Sequence, residues 1–175
     1  MALQSKTIAG STSDSAKWTF KLEVTENSIN EDNETSSVKV EVFLGRPSTQ
    51  TSSYFMGNYD LNYNVGGKKH TDNDLYKSSG TISAGGWCSI GSHTFDIPHT
   101  KEPMEIDIEV KMSGASFNPS SASASGKLTL TEIFGGLRIG VGGVWKKTTA
   151  YLGVNGVWKK CKVYIGKNKE WKKGR

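Results

Sequence analysis

Only two cysteines, Cys88 and Cys161, occur in these 175 residues, and they fall in different parts of the chain. That is too few for a disulfide-built scaffold. Two free thiols in a protein made in a reducing cytoplasm are the expectation, with a single bridge between the two segments as the alternative. Histidine is nearly as scarce: His70, His93 and His99 have no Cys or Glu at zinc-ligand spacing, so no metal site is expected. His93 and His99 read as flanking a short strand over residues 94–97. No Gly-x-Ser-x-Gly elbow accompanies the abundant serine, which leaves no argument for a nucleophile, a catalytic residue or a cofactor. The acidic stretches at 30–34 and 72–74 do not fit the EF-hand template and read as solvated loops. Gly66-Gly67 and Gly85-Gly86 read as turns rather than phosphate cradles. No apolar run approaches membrane-spanning length, and residues 1–6 carry no apolar leader segment, so neither membrane insertion nor a signal peptide is expected. No segment shows helical spacing with caps over ten residues.

What the chain does have is a repeat. Trp145, Trp158 and Trp171 stand 13 residues apart, with Gly140, Gly153 and Gly166 in register. The pairs Lys146-Lys147, Lys159-Lys160 and Lys172-Lys173 follow the tryptophans, and Tyr151 matches Tyr164. A fixed period with glycine and aromatic anchors marks copies of one supersecondary unit and needs no enzyme site to explain it. Within the second copy, Asn155-Gly156 sits between two short apolar stretches, the strongest short-range signal for a hairpin with a type I′ turn. Gly142-Gly143 fills the same slot in the first copy. The third has Asn168-Lys169, where lysine disfavours positive φ, so the third hairpin is expected to be the weakest. One such hairpin is too small to be stable alone and must find something to pack on. Two readings of Trp145, Trp158, Trp171, Tyr151 and Tyr164 stay open: glue within a stack of hairpins, or exposed platforms for sugar rings. Lys146, Lys147, Lys159 and Lys160 are correspondingly a solvated face or part of a binding surface.

Charge divides the chain at the same place. Residues 134–175 hold eleven Lys or Arg against Glu170 alone, a net of +10, whereas residues 1–133 carry −5. Such asymmetry marks two segments with different partners. A tail at +10 attracts polyanions: a phosphate-rich wall polymer, an acidic protein or nucleic acid. No nucleic-acid-binding motif accompanies the charge, so nucleic acid is the weaker candidate.

Residues 1–133 alternate. Trp18, Phe20, Leu22 and Val24 share one face, as do Val38, Val40, Val42 and Leu44. Tyr59-Leu61-Tyr63-Val65, the run from Ile90 to Ile97, Ile106-Ile108-Val110-Met112 and Leu128-Leu130 repeat the pattern. Period-two alternation of this kind belongs to half-buried antiparallel strands. The stretches at 27–37, 45–53, 65–79 and 113–125 are rich in Gly, Ser and Asn and read as turns. About seven strands in some 130 residues predict an all-β protein: an immunoglobulin- or fibronectin-like antiparallel β-sandwich over 1–133, followed by short β-hairpin repeats over 134–175.

The segment 15–44, with Ser78-Ser79-Gly80-Thr81-Ile82, Gly91-Ser92-His93-Thr94-Phe95 and residues 119–126, resembles the β-sandwich of minor structural proteins (tail, baseplate or fibre type) from tailed phages and prophages of Gram-positive bacteria. The sequence Gly153-Val154-Asn155-Gly156-Val157-Trp158-Lys159-Lys160 resembles C-terminal repeats in the same kind of protein. The resemblance implies a virion protein without catalysis, an adhesion or decoration module contacting host cell-wall glycan or an anionic polymer. Other virion proteins and homo-oligomers, trimers among them, are its implied partners. The alternative is a purely structural assembly protein whose basic repeats dock on an acidic partner or on sister chains.

Overall fold

The computed structural model describes residues 3–30, 33–99, 102–114, 119–133, 137–142, 144–148, 150–161, 164–167 and 170–173. The chain divides into two compact units, Met1–Glu132 and Ile133–Arg175.

The first unit is built from β1 (Gln4–Ala9), β2 (Ser11–Thr12), β3 (Thr19–Asn30), β4 (Thr35–Gly45), β5 (Ser53–Val65), β6 (Lys68–Ile82), β7 (Trp87–Pro98), β8 (Met104–Ser113) and β9 (Ala122–Leu130). They form two antiparallel sheets, in the orders β1-β3-β4-β7 and β2-β9-β8-β5-β6. The alternation works as expected: Phe20, Leu22 and Val24 are buried on β3, and Val38, Val40, Val42 and Leu44 on β4. The same holds for Tyr59 to Val65 on β5 and Ile106 to Met112 on β8, and the two inner faces share one apolar core. Burying such faces against each other is the main stabilising term of a two-layer fold. Close approach between the sheets depends on Gly91 in β7, where a Cβ would stand 2.4 Å from the Leu61 Cδ1 of β5.

The all-β antiparallel architecture is the expected one, while its details differ from the sequence reading in two ways. First, the immunoglobulin-like detail does not follow from the strand order: β3 is succeeded in its own sheet by its hairpin neighbour β4, whereas strand B of an immunoglobulin domain is succeeded by a strand of the opposite sheet. Second, the described residues of the unit form nine strands rather than about seven. The stretch 65–79, read as turns, is only a Gly66-Gly67 turn followed by β6. β6 pairs on one side alone and β1 buries only Ile8, so edge strands of this kind carry no apolar alternation to read. The turns expected at 27–37 and 113–125 are also shorter, because β3 runs to Asn30, β4 starts at Thr35 and β9 starts at Ala122.

The second unit holds three two-stranded sheets: β10 (Leu137–Val141) with β11 (Val144–Thr148), β12 (Tyr151–Val154) with β13 (Val157–Lys160), and β14 (Tyr164–Lys167) with β15 (Glu170–Lys173). Each copy of the repeat is therefore one hairpin, and each hairpin is its own sheet.

Candidate functional site

The central hairpin shows how the repeat is constructed. Asn155 and Gly156 at its tip have φ of 54° and 77°, the positive pair that a type I′ turn demands. Val154 then pairs with Val157, Gly153 with Trp158, Leu152 with Lys159 and Tyr151 with Lys160. A further backbone bond from Cys161 N to Ala150 O, at 2.9 Å, closes the base. Residues directly opposite in an antiparallel pair point to the same side, so Gly153, Trp158 and Tyr151 share one face, and Leu152, Val154, Val157 and Lys159 share the other. The indole lies across the bare backbone of Gly153, whose Cβ position is 3.7 Å from its Cζ3.

This hairpin buries almost nothing. Trp158 is 74% exposed, Leu152 and Val157 are each 60%, and Tyr151 is 56%. Lys159 is exposed as well. The tryptophan of this copy is therefore largely open to solvent among the described residues. Register repeats in the other copies: Gly140 opposes Trp145, with Lys146 facing Ile139 and Lys147 facing Arg138, and Gly166 opposes Trp171, with Tyr164 facing Lys173. The side chains of these residues and of Lys160 lie outside the described residues, as do Gly143 and the Asn168-Lys169 turn on which the weakness of the third hairpin was expected. Cys88 and Cys161 are both free thiols.

Two polar clusters in the sandwich unit were not legible in the sequence. In the first, Ser36 Oγ donates to Glu26 Oε1 at 2.6 Å and lies 2.8 Å from His99 Nε2. Thr131 donates to Glu26 Oε2 from its backbone N (3.0 Å) and its Oγ1 (2.7 Å). The residue types are those of a hydrolytic triad, but the order is wrong, because the serine proton goes to the carboxylate. His99 Nε2 must then carry its hydrogen towards Ser36, and its Nδ1 has no partner. Glu26, Ser36 and His99 are all buried, so no substrate reaches them. The cluster is a structural tie.

The second cluster lies where β6 and β7, the outer strands of the two sheets, run together. His70 Nε2 and Asp72 Oδ1 of β6 are 2.8 Å apart, and the His70 ring stacks on His93 of β7 at 3.5 Å between centroids. His93 lies inside β7 rather than flanking a strand, and Asp72 and Asp74 are part of β6 rather than of a loop. All three side chains of the cluster are partly exposed. The His93 pKa is lowered, first by desolvation and then by His70, with Asp72 opposing. Only the fold brings these residues together, which is why spacing in the sequence gave no metal-ligand signal.

Comparison with known proteins returns no match. No family model fits the chain, and neither a curated protein nor a solved structure is significantly similar to it. Function has to be argued from the geometry.

Proposed function

We propose that this protein is a non-catalytic adhesion or decoration module of a phage virion, with the sandwich as scaffold and the basic hairpins as the contact with the host cell wall. One observation supports the reading above others: the central hairpin holds Trp158 and Tyr151 open to solvent on one face, on a backbone bared by Gly153. Flat aromatic faces of this kind, amphipathic and rigid, suit a sugar ring, and the lysines around them suit a phosphate-bearing polymer. Within residues 134–175, whose net charge is +10, the in-register Lys-Lys pairs place positive charge at equal steps along the repeat.

A second reading has its own support. Leu152, Val154 and Val157 form an exposed aliphatic face on the other side of the same hairpin, and grouped exposed apolar residues mark interaction surfaces. In this reading the hairpins dock on an acidic virion partner or on sister chains, and the module is purely structural.

Retention on Gram-positive cell walls, compared between the full chain and a chain ending at Ile133, tests the first reading. Salt divides its two components, because the screening length falls from about 10 Å at 0.1 M to about 3 Å at 1 M. Lysine-driven binding collapses over that range, and ring stacking on Trp158 survives. Equal retention of the shortened chain would place recognition in the sandwich loops. A salt-insensitive trimer in solution that does not bind walls would favour the structural reading.

A further inference from the structure

The cluster at the open margin of the sandwich has a donor set that the reading above does not use. In register, His70 pairs with Tyr63 and Asp72 with Leu61, both buried, and His93 pairs with the buried Val40. All three therefore sit on the inward sides of their sheets, where those sides open to solvent. One nitrogen or oxygen from each residue falls within 4.8 Å of the others. Beneath them lies the ring of Tyr63, with its centroid 5.9 Å from that of His70 and 6.1 Å from that of His93.

We propose that His70, Asp72 and His93 form a binding site for a divalent transition-metal ion of the zinc class, which fastens β6 of one sheet to β7 of the other. Two imidazoles and one carboxylate suit a borderline ion. Calcium and magnesium ask for more oxygen donors than the cluster offers. Ligands about 2.05 Å from a tetrahedral zinc stand about 3.3 Å apart. The His70–Asp72 pair at 2.8 Å is close to that spacing, so the ion takes the place of the hydrogen between them. The two rings, inclined by 18°, have to turn before both can aim an in-plane lone pair at one ion. Their partial exposure leaves room for that rotation. Three protein ligands leave a fourth position for water.

A second observation points to the same place. Tyr63 is 2% exposed and its hydroxyl has no hydrogen-bond partner. Its pKa is raised, first by burial, then by the charge of Asp72 and by a side-chain hydrogen bond to that carboxylate, and last by Tyr59. The carboxylate is therefore within reach of the hydroxyl, although the pair falls short of full hydrogen-bond geometry. An orphaned buried donor is costly, and metal-binding carboxylates commonly take an outer-shell hydrogen bond. When Asp72 turns onto the ion, its other oxygen can accept from Tyr63. That contact makes Tyr63 a positioning residue for the site.

The test is calorimetric titration of the full-length chain with Zn²⁺, in a Cys88→Ser, Cys161→Ser background so that the free thiols take no part. Saturable binding of one ion per chain is expected, together with a higher melting temperature that EDTA reverses. His70→Ala and His93→Ala should abolish both effects, and Tyr63→Phe should weaken affinity by about 10–100-fold. Binding that survives in the His70→Ala, His93→Ala double variant would overturn the proposal, as would the absence of saturable binding. Should the alanine variants unfold, Co²⁺ added to the otherwise unaltered chain gives a second reading. Tetrahedral d–d bands without a thiolate charge-transfer band support the site, and a spectrum of hexaaqua ion or of thiolate ligation refutes it.

Discussion

In the central hairpin the Trp158 indole rests over Gly153, its cross-strand partner, with the ring 3.7 Å from the point where a side chain would begin. That separation is ordinary van der Waals contact, so Gly153→Ala should leave the ring in place. A β-branched side chain should lift it from the strand. Trp158→Ala removes a side chain that is 74% exposed and should change the stability of the sandwich by less than about 0.5 kcal/mol, while wall retention falls. Retention of the Trp158→Ala chain equal to that of the parent would remove the ring from the binding surface.

A peptide covering residues 151–163 should be largely unstructured in water. Tyr151, Leu152, Val154, Val157 and Trp158 are exposed in the hairpin already, so folding it buries too little to offset the ordering of its backbone. A dispersed, stable NMR spectrum would show that the Asn155-Gly156 turn suffices by itself.

Trp18 and Phe20 are 4% and 1% exposed, and Arg46 lies over the Trp18 ring at 4.8 Å while its Nη1 donates to Lys17 O at 2.6 Å. Truncating either ring to alanine should cost about 3–5 kcal/mol in urea denaturation. An unchanged midpoint for both would mean that β3 does not face the core.

Glu26 accepts from Ser36 and twice from Thr131. Glu26→Ala leaves those buried or part-buried donors without an acceptor and should destabilise the unit by at least about 3 kcal/mol. Ser36→Ala, which removes one donor and spares the carboxylate its other bonds, should cost less. The reverse ranking would contradict the assignment of Glu26 as the hub.

Tyr59 donates to Ile90 O at 2.5 Å, and its pKa is pushed up to about 12, by burial first and then by Cys88 and Asp72. A raised folded-state pKa gives stability that is fully present below the unfolded value of 10.0 and is lost as pH rises through about 12. Denaturation midpoints should therefore fall between those values, with a shallower slope in Tyr59→Phe. Phenolate absorbance from every tyrosine near pH 10, with the fold intact, would refute this.

The sequence by itself determined the features that repeat or alternate. Trp18 to Val24 and Val38 to Leu44 announced their strands because one side of each must leave water and the other need not. The Asn155-Gly156 turn was legible because few residue pairs accept positive φ twice in succession. Tertiary structure decided the rest. β6 and the outer part of β1 are edge strands without alternation, so burial leaves no mark on their sequence. Glu26 falls in phase with Phe20, Leu22 and Val24, and Ser36 with Val38, but residues 27–37 read as turns, so neither polar residue registered as facing inward. What Glu26 meets there was not visible, because Ser36 and Thr131 arrive from separate strands and loops. The same holds for His70 and Asp72 on β6 and His93 on β7. Their spacing along the chain has no chemical meaning, and they meet only because the last strand of one sheet and the last strand of the other close the same side of the sandwich.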